Sequence, residues 1–409
     1  MKARYLVTKR FIVPLAATLI SLLLLSTGFG ATDSKAASAP VTIGVTIPIT
    51  GAFAQPGAYM QQAISLWQKQ VNAKGGLLGR KVKFDILDDQ SAPDIGQQDM
   101  IKLISQDHVD LVVGSYGAST ILREAAVTEQ YHMLFIEAVG TVGSLFTNGY
   151  HYLVFGGPLL AENYSVPFFQ WIAKLPKKER PTTAAFVTNS LSASKALGDT
   201  GVLYAQRQGI NVLQQDYYDN SATDFNALGA KTASLKPDLV YQSGYVTDTI
   251  GYAKAFCAQG YTPQIREFGI GISLDPTFPA AVGASCANGT IATSSYDASV
   301  NSPASKGFVA TWQKAYGKKS VPVWQHASMY ASLQLLQQAV TATKSFNQDT
   351  LRNYIGSHQF STVVNTTRYD NRGVPLHQNG YVVQWQNGKR VTVFPKNVAS
   401  GKYKPLKQG

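Results

Sequence analysis

The fold is indicated first by residues 41–76, which read VTIGVTIPITGAFAQPGAYMQQAISLWQKQVNAKGG. Residues 42–47 are a β-branched, apolar run of the kind that forms a buried strand. In residues 58–72 the apolar positions recur at intervals of three and four, as on one face of an amphipathic helix: Met60, Ala63, Ile64, Trp67 and Val71. Gly75 and Gly76 follow, and glycine commonly stands just past a helix end. The stretch therefore predicts a strand, a loop and a helix.

This unit recurs along the chain. Further β-rich runs occupy residues 82–87, 111–113, 133–136, 152–155, 184–188, 239–242 and 290–293. Several are continuously apolar, as expected when helices cover both faces of a parallel sheet. One helical pattern between them begins near Asp94, with Met100, Ile101 and Ile104 on its inward face. Because the pattern restarts after Pro181 and 409 residues suit two domains, we predict an α/β protein with two doubly wound sheets.

The first 30 residues have the pattern of an export signal. Four basic residues precede an apolar run over residues 11–25: Lys2, Arg4, Lys9 and Arg10. The run is about 15 residues long, whereas a membrane-spanning helix needs about 20. An uncleaved N-terminal anchor is the alternative interpretation. No cysteine follows the run, so we predict a cleaved signal over residues 1–30 and an exported protein that is not a lipoprotein.

The net charge is concentrated at the two ends of the chain. The sequence has 36 Lys and Arg against 24 Asp and Glu, a formal net charge of +12. The export signal accounts for four positive charges, and residues 389–409 hold six with no acid, which leaves about +2 for the rest. A nucleic-acid-binding surface needs its positive charge on the folded domains. The distribution therefore argues against nucleic acid as a partner.

Cys257 and Cys286 are the two cysteines of the sequence. In an oxidising, exported compartment such a pair is a disulfide candidate, which stabilises a fold by roughly 3 kcal/mol. Two buried thiols are the alternative.

The sequence contains none of the common enzyme motifs. No Gly-x-Ser-x-Gly, His-Glu-x-x-His or Walker sequence occurs, and the six histidines lack metal-ligand spacing. Asp88 and Asp89 are adjacent carboxylates at the end of a predicted strand, and we interpret them as turn residues. We therefore expect a protein without catalysis, cofactor or metal.

The loops after the predicted strands are the places to look for a ligand site, because doubly wound sheets bind ligands beyond the carboxyl ends of their strands. These loops are residues 48–54, 114–120 and 137–141. Ser119, Thr120 and Thr141 offer hydroxyls and free amides at helix starts, which suit a small anion such as a carboxylate. Plain helix capping is the alternative role for Ser119 and Thr120.

Four separate segments resemble the leucine/isoleucine/valine-binding protein family. They are IGVTIPITGAFA at residues 43–54, VNAKGGLLGR at 71–80, DDQS at 88–91 and VVGSY at 112–116. Members of this family are extracytoplasmic solute-binding proteins of ABC transporters with the type I periplasmic binding protein fold. The resemblance covers essentially the whole chain after the export signal.

The resemblance implies two Rossmann-like lobes joined by three crossovers, which close on a solute in the cleft between them. The first lobe would comprise residues 41–157 and 295–365, and the second residues 158–294 and 366–409, ending in a basic tail. The resemblance also implies a monomer in the periplasm that delivers its solute to the membrane permease of an ABC importer. A ligand-sensing module for a receptor or regulator is a further alternative for this fold.

The resemblance also implies which residues contact the solute. In the first lobe the family holds a ligand carboxylate through two loops and places an aromatic residue nearby. The matching positions are Phe53, Ala118, Ser119, Thr120, Gly140 and Thr141. In the second lobe they are Ser194, Tyr245 and Gly271. Tyr116 also lies at a strand end that faces the cleft, whereas Trp324 is interpreted as core or cleft rim.

One departure from the family concerns the ligand ammonium. Amino-acid-binding members usually carry an acidic residue in the loop that matches residues 269–273, and none stands there. Asp248 and Asp275 are the nearest candidates, and Glu137 could pair with a ligand group or make a structural hydrogen bond. We expect a small, branched-chain amino acid as the solute, with an aromatic carboxylate, an amide or urea as the alternative.

Overall fold

The computed structural model describes Met1 and residues 39–140, 142–269 and 271–406. Apart from Met1, the predicted export signal, residues 1–30, lies outside the described residues. The described chain from residue 39 onward forms two α/β lobes. No helix within it combines the length and hydropathy needed to cross a bilayer.

The first lobe is built on a five-stranded parallel sheet. Its strands are β1 (Val41–Ile47), β2 (Val82–Asp88), β3 (Leu111–Val113), β4 (Phe135–Glu137) and β5 (Leu153–Phe155). They lie in the order β2-β1-β3-β4-β5, and every pair is parallel. The order reverses between β1 and β3, so a crevice is expected at the carboxyl ends of these strands.

The second lobe is built on a seven-stranded sheet. Its strands in chain order are β6 (Thr183–Asn189), β7 (Asn211–Tyr218), β8 (Leu239–Ser243), β9 (Ile265–Phe268) and β10 (Ile291–Ser294), then β13 (Tyr381–Gln386) and β14 (Lys389–Phe394). A separate two-stranded sheet joins β11 (Phe360–Ser361) to β12 (Thr366–Thr367). The larger sheet has the order β14-β13-β10-β9-β8-β6-β7, in which β13 and β14 are antiparallel to their neighbours.

Twelve α-helices accompany these sheets in the described part of the chain. They are α1 (Ala54–Ala73), α2 (Pro93–Ser105), α3 (Ala118–Gln130), α4 (Ser165–Ile172), α5 (Ser192–Arg207), α6 (Asn226–Ser234), α7 (Val246–Cys257), α8 (Phe278–Val282), α9 (Ala284–Ala287), α10 (Pro303–Tyr316), α11 (Trp324–Thr343) and α12 (Gln348–Ser357).

The chain passes between the lobes three times: after β5, after β10 and before β13. After the first passage α4 packs in the core of the second lobe, where Phe168 contacts Tyr241. After the second passage α10 to α12 return to the core of the first lobe, where Trp312 and Leu336 are buried together with Val41. The predicted two-lobed, doubly wound fold with three crossovers is thus confirmed.

Helix α1 follows the predicted pattern and is longer than predicted. Met60, Ile64 and Trp67 are buried and pack in the core of the first lobe, as their spacing indicates. The helix begins four residues earlier, at Ala54, because Pro56 falls in its first turn, where a missing backbone N–H costs nothing. In α2 the prediction for Ile101 is wrong: its side chain is 37% exposed, and Leu103 is buried instead.

The eight predicted strands are confirmed to within two residues at each end, whereas β7, β9, β13, β14 and the two-residue strands β11 and β12 were missed. Strand β7 is an edge strand whose residues are mostly exposed or half-buried, so it lacks an apolar run. Strand β9 contains Arg266 and Glu267, both buried, so its sequence looks polar. Its arginine is stabilised by the carbonyl oxygens of Ser285 and Asn288, which are distant in sequence.

The segment interpreted as a basic tail is partly a strand, which corrects that interpretation. Residues 389–394 form β14, and the Arg390 side chain is only 8% exposed in an ion pair with Asp297. The chain after β14 stays on the second lobe, since the Gln384 side chain both donates to and accepts from the backbone of Lys404.

Cys257 and Cys286 are joined in a disulfide, with their Cα atoms 5.8 Å apart, inside the usual range. The bond links the last residue of α7 to α9.

Candidate ligand-binding cleft

A cavity of about 60 Å³ lies between the lobes. Its lining comes from the loops after β3, β4 and β8, from the first passage between the lobes, and from the first turns of several helices. The lining residues are Tyr116, Gly117, Ala118, Val139, Ala161, Tyr164, Ala193, Ser194, Leu197, Ser243, Gly244, Tyr245, Ile272 and Trp324.

None of these fourteen lining residues is charged. The side-chain polarity of the wall comes from three tyrosines, two serines and the indole of Trp324. The indole Nε1–H of Trp324 is buried and has no acceptor among the described residues. It is therefore available to an acceptor atom of a ligand.

Four helices begin at the cavity. Ala118 is the first residue of α3, Ser194 lies in the first turn of α5, Tyr245 immediately precedes α7, and Trp324 is the first residue of α11. Neither α3 nor α5 has a side-chain cap on its first amides. Free N–H groups and the positive end of the helix dipole favour anionic or acceptor-rich ligands at such a place.

Phe53, in the loop after β1, connects the two lobes through aromatic contacts. Its ring centroid lies 5.3 Å from that of Tyr116 in the first lobe and 5.2 Å from that of Tyr245 in the second. Its backbone N–H donates to Oγ of Ser91 at 3.0 Å, which fixes the loop. Phe53 thus packs against one tyrosine of each lobe.

Gly271 permits the approach of Trp324. Its φ is 72°, and a Cβ at this position would lie 3.3 Å from Nε1 of Trp324 and 3.4 Å from Oγ of Ser294. Both the backbone conformation and the crowding therefore favour glycine.

The Asp248 carboxylate is hydrogen-bonded to residues of the second lobe. Its carboxylate accepts from the backbone N–H of Tyr245 at 2.7 Å, from the Tyr218 hydroxyl at 2.6 Å and from Nδ2 of Asn189 at 2.8 Å. Burial raises the pKa of this carboxyl, although the hydrogen bonds oppose the change. The group caps α7 and does not line the cavity.

Asp275 joins the two lobes. Its Oδ2 accepts from the Tyr59 hydroxyl at 2.6 Å and from Nε2 of Gln55 at 3.0 Å, both on α1. Its Oδ1 accepts from the backbone N–H of Thr277 at 2.8 Å. Its carboxylate is outside the cavity lining as well.

Glu137 ends β4, two residues before Val139 of the cavity wall, and is fully buried. Its Oε2 accepts from the backbone N–H of Gly140 at 2.6 Å, and its Oε1 has no partner among the described residues. Burial raises the pKa of this carboxyl to about 8. At pH 7 Glu137 is therefore mainly neutral and presents little charge to a ligand.

The remaining predicted site residues divide into two groups. Tyr116, Ala118, Ser194 and Tyr245 line the cavity. Ser119 is exposed on α3, and Thr120 is buried against Gly96 of α2. The backbone N–H of Gly140 donates a hydrogen bond to Glu137. Thr141 lies outside the described residues.

Asp88 makes the turn contacts expected of it. Its Oδ1 accepts from the backbone N–H groups of Ile49, Thr50 and Gln90. The interpretation of Asp88 as a turn residue is thus confirmed. In the described chain no group of three His, Cys, Asp or Glu side chains is arranged to hold a metal ion.

Sequence reasoning missed Ala161, Tyr164 and Leu197 in the wall and assigned Trp324 to the core or rim. Ala161 and Tyr164 lie on the first passage between the lobes, which follows the carboxyl end of β5. The strand-end rule applied to β5 would have found that segment. No local pattern marks Leu197 or Trp324, because each reaches the cavity through helix placement.

Comparison with known proteins agrees with this architecture. Residues 40–390 match the sequence profile of a family described as periplasmic binding protein. Leu/Ile/Val-binding protein homolog 8 of Brucella suis biovar 1 is 26% identical over 395 residues, covering 92% of this chain and 96% of that protein.

Two solved structures share the fold. One is a solute binding protein of an ABC transporter from Rhodopseudomonas palustris BisB5 in complex with 3,4-dihydroxybenzoic acid, with a TM-score of 0.77, 19% identity, and coverage of 90% of this chain and 98% of that one. The other is the branched-chain amino acid transporter substrate binding protein LivJ from Streptococcus pneumoniae in complex with isoleucine, with a TM-score of 0.76, 18% identity, and coverage of 90% and 100%. Because the family profile spans most of the chain and the two lobes have its architecture, this chain belongs to the periplasmic binding protein family.

Proposed function

We propose that this protein is an exported receptor of an ABC importer that captures a small carboxylic acid lacking an α-ammonium group. The acid has an apolar or aromatic body, is enclosed between the two lobes, and is passed to a membrane permease. This departs from the branched-chain amino acid expected from sequence and favours the aromatic-carboxylate alternative.

The uncharged cavity wall carries this proposal. Burying an ammonium group without a carboxylate partner costs several kcal/mol. The three candidate acids do not supply one: Asp248 caps a helix, Asp275 binds Tyr59 and Gln55, and Glu137 is mainly protonated at pH 7.

The same wall suits a carboxylate and an apolar body. A carboxylate accepts hydrogen bonds, and the first turns of α3 and α5 and the indole of Trp324 offer donors. The rings of Tyr116, Tyr164 and Tyr245 offer aromatic surface to the rest of the ligand.

Binding energy would close the cleft by population shift, because a ligand that contacts both lobes favours the closed arrangement. The hydrogen bond between Tyr59 and Asp275 and the contact of Phe53 with Tyr245 form only when the lobes are together.

A matched pair of ligands tests the proposal. 4-Methylpentanoate is leucine without its ammonium group, so the two differ only in the feature at issue. By titration calorimetry at pH 7, we expect 4-methylpentanoate and benzoate to bind and leucine to bind at least roughly a hundredfold more weakly. Leucine binding as tightly as 4-methylpentanoate would contradict the proposal.

A gain-of-function variant gives a second test. Ile272 lines the cavity within the loop where amino-acid-binding members carry an acid. Ile272→Glu is expected to weaken 4-methylpentanoate binding and to improve leucine binding. An unchanged thermal unfolding midpoint would show that the variant is folded.

A branched-chain amino acid is the second candidate. The name of the Brucella suis relative and the isoleucine in the Streptococcus pneumoniae structure favour it. In that case Glu137 would have to ionise when the ligand binds, and leucine affinity would rise with pH up to about 8 and level off above it.

A further inference from the structure

A second cavity, of about 480 Å³, lies on the first lobe between the C-terminal halves of α1 and α11. Its walls include Trp67, Gln70, Lys74, Gln334, Gln337 and Thr341, and we call it the glutamine groove. It shares no lining residue with the cleft cavity. Gln337 lies 13 residues beyond Trp324 on α11, or about 20 Å along the helix.

The orientation of two glutamine amides in the groove is fixed by groups that only donate. The indole Nε1–H of Trp67 donates to Oε1 of Gln337 at 3.1 Å. The backbone N–H of Val363 donates to Oε1 of Gln334 at 2.8 Å. Neither donor can accept a hydrogen bond, so in both amides the oxygen faces the protein and the NH₂ group remains for another partner.

The oxygen of a third amide, Oε1 of Gln70, accepts a hydrogen bond from the Tyr330 hydroxyl. The Nε2 atoms of Gln70, Gln334 and Gln337 have no acceptor among the described residues, and none of them is sealed from solvent. Lys74 adds a positive charge beside them, and the groove wall includes no Asp or Glu. The groove therefore presents donors and positive charge, with its glutamine acceptors already occupied.

We propose that the glutamine groove binds a small organic anion that carries two or three carboxylates. Carboxylate oxygens only accept hydrogen bonds when ionised, which matches a wall of amide and ammonium donors. The volume lies within the range of small-molecule sites, about 300–1,000 Å³. Such a site is distinct from the solute cleft and is independent of the function proposed for it.

Citrate is a suitable probe for titration calorimetry at low ionic strength, with 4-methylpentanoate present in excess to occupy the cleft. We expect citrate to bind the full exported protein at one site. Gln337→Glu keeps an oxygen acceptor for Trp67 but replaces the NH₂ donor by a second carboxylate oxygen. It is expected to weaken citrate binding at least roughly tenfold and to leave the thermal unfolding midpoint unchanged.

Gln61→Glu is the matched control, because it makes the same charge change on an exposed position of α1 outside the groove. Citrate affinity close to that of the wild type is expected for this variant. Absence of citrate binding at millimolar concentration, or an equal loss in both variants, would overturn the proposal. Failure of carboxylates to bind the cleft would leave this comparison unaffected, so the two proposals are tested separately.

Discussion

The hydroxyl of Tyr59, on α1 of the first lobe, donates a 2.6 Å hydrogen bond to Oδ2 of Asp275, in the loop that follows β9 of the second lobe. Burial and the Asp275 carboxylate both raise the pKa of this hydroxyl, so Tyr59 remains protonated as a donor. The bond joins the lobes at a point outside the ligand cavity. It therefore contributes to the closed arrangement without contributing to ligand contact.

Removing this bond should weaken ligand binding indirectly. Tyr59→Phe keeps the ring but deletes the donor, at an expected cost of about 1.5–3 kcal/mol for a hydrogen bond to a charged group. We expect ligand affinity to fall roughly tenfold or more by calorimetry, and the unliganded protein to show a larger radius of gyration by X-ray scattering. Tyr316→Phe is the control, because that hydroxyl donates to the carbonyl oxygen of Gln62 within the first lobe. Equal affinities for the two variants would remove the proposed role of the bond.

The first amide of α3 is expected to contact the ligand carboxylate. Ala118→Pro deletes this N–H at the first helical position, where proline is well tolerated. We expect affinity for 4-methylpentanoate to fall by about 1.5–3 kcal/mol. Ser119→Ala removes only an exposed hydroxyl and should change affinity by less than about 0.5 kcal/mol. The opposite ranking would assign the contact to the Ser119 side chain.

Glu137 should make stability fall as the pH rises. Its pKa is about 8 in the folded protein against an ordinary value of 4.5, so between these values the folded state holds a proton that the unfolded state has released. The free energy of unfolding then decreases by up to about 1.4 kcal/mol per pH unit from roughly pH 4.5 to pH 8, and this contribution levels off above. Glu137→Gln, which is neutral at every pH and retains an oxygen for Gly140, should lack the effect.

Urea unfolding of both proteins at pH 5, 6, 7 and 8 measures this contribution. The stability of Glu137→Gln relative to the wild type should increase steadily across the series. A difference that does not change with pH would mean that Glu137 is ionised in the fold.

The buried pair of Arg390 and Asp297 should be sensitive to the loss of one partner. Nη1 of Arg390 lies 3.2 Å from Oδ2 of Asp297 and donates to the carbonyl oxygen of Leu274 at 2.9 Å. Arg390→Met leaves a carboxylate that is 1% exposed without its cation, which should cost about 3–5 kcal/mol in urea unfolding. The double variant Arg390→Met, Asp297→Asn removes both charges and should recover part of that stability. A double variant less stable than the single one would contradict this explanation.

Much of the fold followed from local patterns. The face of Met60, Ile64 and Trp67 predicted α1, because a helix repeats every 3.6 residues wherever it packs. Strands such as β1 and β6 were visible because burial on both faces requires continuous apolar residues. Strand β9 was not visible, since Arg266 and Glu267 are tolerated there only through partners distant in sequence.

The candidate site was predicted less completely than the fold. The strand-end rule located Tyr116 and the family resemblance located Tyr245; both line the cavity and contact Phe53. Neither could show that the Asp248 carboxylate accepts hydrogen bonds from Tyr218 and Asn189, because those contacts join three different elements.

The sequence by itself determined the two α/β lobes, the family and the loops that form the cleft, because strand and helix periodicity and strand-end loops are local properties of the chain. The tertiary structure alone decided which side chains reach the cavity and which acids are already partnered. The position of α11 places Trp324 in the cavity wall, whereas the hydrogen bond to Tyr59 on α1 holds the Asp275 carboxylate outside it. No pattern of neighbouring residues encodes these contacts. For this reason the sequence alone favours an amino acid as the solute, whereas the arrangement of the two lobes favours a carboxylic acid without an ammonium group.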